Sequence, residues 1–203
     1  METVRIAATL GGAMVVFGLI MVVAFRLRGR AKRLYRARFL ALGPGRMTEA
    51  PSGLRYACTW QGRDWHLELA APMKLARTSQ LTRDQTPRVI AQVQLTRPAA
   101  FGLHVVARGS GLTPTTKLRF EERPAPGGLE KFHVAASSEV TSLLSPEAVA
   151  AIRRVYDVPI VDLELEVLPG GRALTCTKLY GVRDLPAWLA AITELAGAVE
   201  RAG

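Results

Sequence analysis

The chain has 203 residues, with 27 Lys/Arg against 17 Asp/Glu, a formal charge of +10 and 49% apolar residues. The charge is concentrated at one end: residues 1–43 carry a net +7 and residues 44–203 only +3. The body of the chain therefore lacks the strongly basic folded module that nucleic-acid binding uses.

Residues Ile6 to Phe25 are twenty consecutive uncharged residues bracketed by Arg5 and Arg26. As a helix they span ~30 Å, the thickness of a bilayer core. No small-residue cleavage site follows, so the run reads as an uncleaved transmembrane anchor over residues 1–25. Ala7, Gly11 and Gly18 share one face of that helix, the small-residue pattern through which two copies associate as a homo-oligomer. Seven basic residues follow: Arg26, Arg28, Arg30, Lys32, Arg33, Arg36 and Arg38, with no acid before Glu49. Basic flanks resist translocation, which places the amino terminus outside and the rest of the chain in the cytoplasm, at the inner membrane if the source is a bacterium.

Residues 26–42 read as a basic amphipathic juxtamembrane helix. Leu27, Ala31, Leu34 and Ala41 form its apolar stripe, extended by Tyr35, Phe39 and Leu42. Such a helix lies at the headgroup level, its seven cations directed to anionic lipid. Gly43-Pro44-Gly45 ends it, and residues 43–53 read as a linker to a domain over 54–203.

Strand patterns then follow in a run. Leu54, Tyr56, Cys58 and Trp60 alternate with polar residues, and the alternation resumes at Trp65, Leu67 and Leu69 after Gln61-Gly62-Arg63-Asp64, predicting a hairpin with a four-residue turn and a Trp60–Trp65 pair. Residues 72–88 read as a loop. Further strands are predicted over 89–95, 101–108, about 115–122 and 131–136. Ser145-Pro146-Glu147 is a helix start. Val161, Leu163, Leu165 and Val167 alternate with Asp162, Glu164 and Glu166, an acidic ridge expected to face solvent. Pro169-Gly170-Gly171 turns this strand into a partner containing Leu174, Cys176 and Tyr180. Asp184 caps a final amphipathic helix from Leu185. Strands in a run, followed by helices, predict an α+β fold: a transmembrane helix, then a mainly antiparallel sheet with two C-terminal helices on one face.

Leu143-Leu144-Ser145-Pro146-Glu147, the strand from Leu163 to Val167 and the Leu/Ala-rich last helix resemble those of uncharacterised bacterial membrane-anchored proteins. The resemblance covers about the last third of the chain and implies no activity and no site residues.

Catalytic signatures are sparse. There is no phosphate-binding glycine loop, nucleophile elbow, H-E-x-x-H or C-x-x-C. Cys58 and Cys176 lie 118 residues apart in apolar strand contexts and read as buried free thiols. His66, His104 and His133 sit out of phase with the apolar residues of their strands, on one polar sheet face together with Glu68. Three imidazoles and a carboxylate suit zinc, although an exposed polar-face histidine is the commoner outcome. The expected function is a membrane-tethered cytoplasmic interaction or assembly module, with no cofactor and with an unidentified protein partner beside the bilayer. The alternatives are a membrane-bound hydrolase or metal-dependent enzyme using the histidine face, and a sensor of anionic lipid surfaces.

Overall fold

Period-two alternation of apolar and polar residues builds β2, β3 and β4, because it gives each of them one face to bury and one to turn outward, whereas β5 is buried on both faces over Leu103 to Val106. The computed structural model describes residues 29–50, 53–70, 88–107, 120–137, 144–156, 163–179 and 182–202. Nine strands are present among them: β1 Gly45–Ala50, β2 Gly53–Trp60, β3 Arg63–Ala70, β4 Arg88–Gln94, β5 Leu103–Ala107, β6 Glu122–Arg123, β7 Phe132–Ala136, β8 Leu163–Val167 and β9 Ala173–Leu179. They form one sheet in the order β1-β2-β3-β4-β9-β8-β5-β7-β6, and each neighbouring pair is antiparallel. Three helices accompany it: α1 (residues 29–40), α2 Pro146–Tyr156 and α3 Leu185–Arg201.

The apolar face of the sheet and the helices make one core. Tyr56, Trp65, Leu67, Val89, Cys176, Leu165 and Val105 from the strands pack in the same cluster as Phe39, Ile152, Leu189 and Ile192 from the helices. Each such side chain contributes ~1.5–3 kcal/mol through apolar burial. The caps predicted for α2 and α3 are formed. The Ala148 amide donates to Ser145 Oγ at 3.2 Å, and the Ala187 amide donates to Asp184 Oδ1 at 3.1 Å. Each cap is worth ~1 kcal/mol.

The β2–β3 turn is tighter than its sequence suggests. Gln61 and Gly62 both have positive φ, 49° and 72°, which makes a two-residue turn of the type whose twist matches a hairpin. Arg63 and Asp64 already pair with Trp60 and Thr59. Trp60 and Trp65 meet edge to face at 6.1 Å, with Trp65 buried. At the same end, Arg63 donates to both carboxylate oxygens of Glu200 at 2.8 Å, and the Thr96 amide adds a bond of 2.6 Å. The Arg63 hydrogen bonds above all hold the Glu200 carboxyl down at about 2. This clamp ties the last turn of α3 to the sheet.

The expected fold class needs correction at its amino-terminal end. No helix among the described residues is long and apolar enough to cross a membrane. Residues 6–25, on which the transmembrane helix was expected, lie outside the described residues, as do Ala7, Gly11 and Gly18. The helical layer contains three helices rather than two. Tyr35 and Phe39 of α1 and Leu42 in the turn after it are buried in the sheet core, while Ala31, Leu34 and Ala41 are exposed. Phe39 stacks on Tyr56 at 6.0 Å, and Tyr35 meets Phe39 edge-on at 5.7 Å. Two aromatic rings remove far more apolar area from water than two alanines and a leucine, and this decides which side of the helix docks.

The segment expected as linker over 43–53 likewise contains β1, paired in register from Gly45↔Cys58 to Ala50↔Gly53. Tyr56 Oη donates to the Gly43 carbonyl and holds the approach to that strand. The strand expected over about 115–122 is described only from residue 120, where β6 is two residues long.

If α1 belongs to this core, Phe39→Ala should cost ~3–5 kcal/mol in chemical denaturation of the full chain. Leu34→Ala, on a residue 48% exposed, should stay within ~0.5 kcal/mol of wild type. Equal effects of the two substitutions would remove α1 from the domain.

Candidate functional site

With the helices on one face, the register fixes what the other face presents. Directly opposed residues of antiparallel strands point to the same side. One row across that side reads Thr48, Arg55, Glu68, Ile90, Thr177, Glu164, Val106, His133. The next reads Arg46, Ala57, His66, Gln92, Thr175, Glu166, His104, Ala135, Glu122.

Over β1 to β4 this face forms an open groove of about 290 Å³, lined by Arg46, Thr48, Arg55, His66, Glu68 and Gln92 among others. Arg55 Nε donates to Glu68 Oε2 at 3.1 Å, and Arg55 remains mostly exposed. An ion pair so placed is worth only ~0.2–1 kcal/mol and is readily exchanged for another partner. Arg46 is exposed and makes no ion pair among the described residues. Two guanidinium groups, an imidazole, a hydroxyl and an amide set against one carboxylate favour a ligand that brings carboxylates of its own.

The three histidines share the polar face but do not gather. His66 on β3 and His104 on β5 are separated by four strand spacings, ~19 Å. Each of the other two has a carboxylate: His104 Nε2 lies 2.8 Å from Glu164 Oε1, and His133 Nδ1 lies 2.7 Å from Glu122 Oε1. No group of three or more His, Cys, Asp or Glu able to hold a metal occurs among the described residues. His104 is only 1% exposed, and Glu164 and Glu166 are half-buried, so this stretch is not the solvated acidic ridge that alternation suggests. Asp162 lies outside the described residues. A pair 60 residues apart in the chain, on strands that are neighbours only by crossover, leaves no local signal in the sequence.

The basic residues after the apolar run divide. Lys32 and Arg36 pair with Glu49 at 3.0 and 2.7 Å, and the Lys32 hydrogen bond holds that carboxyl below its usual range. Arg38 donates to the Val182 carbonyl and lies over the Tyr35 ring at 5.4 Å. Arg33 Nε donates to Gly29 O at 3.4 Å, Arg30 is exposed, and Arg26 and Arg28 lie outside the described residues. The structure thus gives Lys32, Arg36 and Arg38 contacts within the domain. Both cysteines are free and buried, and burial pushes both thiols up, away from nucleophilic thiolate character.

Two of the groove cations were harder to find in the sequence. Arg46 falls in the apparent linker, and Arg55 reads only as the polar residue between Leu54 and Tyr56. The histidines should separate in a stability measurement. His104→Leu leaves Glu164 without its imidazole and should cost ~1–3 kcal/mol in denaturant unfolding, whereas His66→Leu on the exposed groove should change stability by less than ~0.5 kcal/mol. Matching losses would mean that His66 is as much a part of the fold as His104.

No family model matches this chain, and no curated protein matches it. Among solved structures it is similar to the crystal structure of the mycobacterial trehalose monomycolate transport factor A, TtfA, with 7% sequence identity and a TM-score of 0.47, over 78% of this chain and 75% of that one. A likeness of that size bears on neither substrate nor partner.

Proposed function

We propose that the chain is a non-catalytic interaction module, and that its groove over β1 to β4 binds an acidic segment of a partner protein. The observation that carries this reading is the division of the sheet. Helices fill one face, while the other presents Arg46 and Arg55 beside Thr48, His66 and Gln92 on a rigid, four-stranded surface. Side chains fixed on strands present a preorganised pattern, and little ordering is required when a partner docks. Exposed guanidiniums steer acidic partners into encounter and form bidentate pairs with their carboxylates. The metal-enzyme alternative needs the three histidines in one place, and four strand spacings separate His66 from His104.

A photo-crosslinking residue placed at Thr48 or Gln92 in cells tests this. It should give a discrete adduct that the same residue at Glu147, exposed on α2, does not give. Arg46→Glu combined with Arg55→Gln should abolish the adduct without lowering the unfolding midpoint. A groove adduct indifferent to these substitutions, or none specific to the groove, would contradict the proposal.

A further inference from the structure

Ala57 is the small residue in the floor of the groove. In register it lies directly between Arg46 of β1 and His66 of β3, each one strand spacing away at ~4.8 Å. Arg55 precedes it by two residues on β2, on the same face and ~6.8 Å along the strand. Two guanidiniums and an imidazole thus surround a position that contributes only a methyl group, and all four residues line the groove of about 290 Å³. The carboxylates on this part of the face are engaged. Arg55 Nε donates to Glu68 Oε2, directly opposite it in register, and Asp64 accepts from Thr59 Oγ1 at 2.7 Å. The Arg55 side chain is nevertheless 70% exposed, against 33% for Glu68, so a molecule entering the groove meets the guanidinium rather than its counter-ion.

We infer that the gap over Ala57 is the seat of a single carboxylate, the side chain of a Glu or Asp in the partner's acidic segment, and that Glu68 sets its affinity by competing for Arg55. This rests on the groove reading above and narrows it to one position. A guanidinium fork matches the two oxygens of a carboxylate, and Arg46 and Arg55 approach the seat from different directions. His66 adds an N–H donor from the side opposite Arg46, whichever its charge state. The groove is open, so a small free acid would lose little of its hydration there. A side chain on a peptide is held by more, because its flanking backbone runs on over Thr48 and Gln92. The Arg55–Glu68 pair is exposed and therefore weak, so an incoming carboxylate exchanges with it at low cost. Glu68 acts against that exchange in two ways, by holding Arg55 and by repelling the incoming anion.

The probe is the capped peptide acetyl-Gly-Thr-Glu-Thr-Gly-amide, with its glutamine counterpart as control. Each is titrated into the full-length chain and followed through the backbone amide resonances of Arg46, Ala57 and His66. The glutamate peptide should shift them saturably, and the glutamine peptide should not. Glu68→Gln should tighten the glutamate peptide several-fold. Ala57→Leu changes no charge, but its side chain takes the space of the carboxylate, and it should weaken the peptide by about an order of magnitude with the unfolding midpoint retained. Unchanged affinity in Ala57→Leu, or no tightening in Glu68→Gln, would overturn the inference. The near-isosteric Glu68→Gln decides the matter even if Ala57→Leu fails to fold. Failure of the seat is distinguishable from failure of the groove reading. A crosslinked adduct at Thr48 or Gln92 that survives in Ala57→Leu strikes the seat alone, whereas a wild-type chain with no groove-specific adduct strikes the groove reading.

Discussion

Tyr35 joins the first described helix to the last. Its hydroxyl donates to the Val182 carbonyl and accepts from the Val182 amide, two residues ahead of the Asp184 cap of α3. Around that contact Phe39 stacks on Tyr56 and Leu42 is buried. A nine-stranded sheet with one apolar face must cover that face along its whole width, and α2 and α3 alone leave the β1–β2 end to be closed by something else. Helix α1 closes it. Once the apolar side is covered, the opposite side of β1 to β4 is left for polar groups such as Arg55 and His66, whereas toward β5 and β7 that side is buried as well, at His104, Val106 and Ala135.

Much of this layout is legible in the sequence wherever the signal is local. The β2–β3 hairpin, the β8–β9 pair, the caps at Ser145 and Asp184 and the amphipathic last helix all rest on residues within a few positions of one another, and all are present in the structure. Two local features mislead. The apolar run over residues 6–25 makes everything just after it look like a membrane flank, so a helix that packs through Tyr35 and Phe39 reads as one lying on lipid. Gly43-Pro44-Gly45 reads as the start of a linker, although the sixth residue of β1 follows only five positions after Gly45. Strand order is the larger gap. β9 lies between β4 and β8, and β5 lies beyond β8. No pattern within a single strand specifies either placement.

The candidate site divides along the same line. That His66, His104 and His133 share a face follows from phase alone, because each is out of step with its apolar neighbours. Whether they meet depends on strand order, and strand order keeps His66 apart while seating His104 against Glu164 on a strand 60 residues away.

The account rests on the two sides of the sheet being chemically opposite over β1 to β4, and adjacent residues of β3 test this most directly. His66 is exposed over the groove and Leu67 is buried beneath the helices. In the native chain, with Cys58 and Cys176 buried as background, a cysteine placed at His66 should react with a soluble thiol reagent at close to the rate of the denatured protein. A cysteine placed at Leu67 should be protected until the protein unfolds. Equal rates at the two positions, or protection at His66, would show that the open face is covered and would contradict the architecture described here.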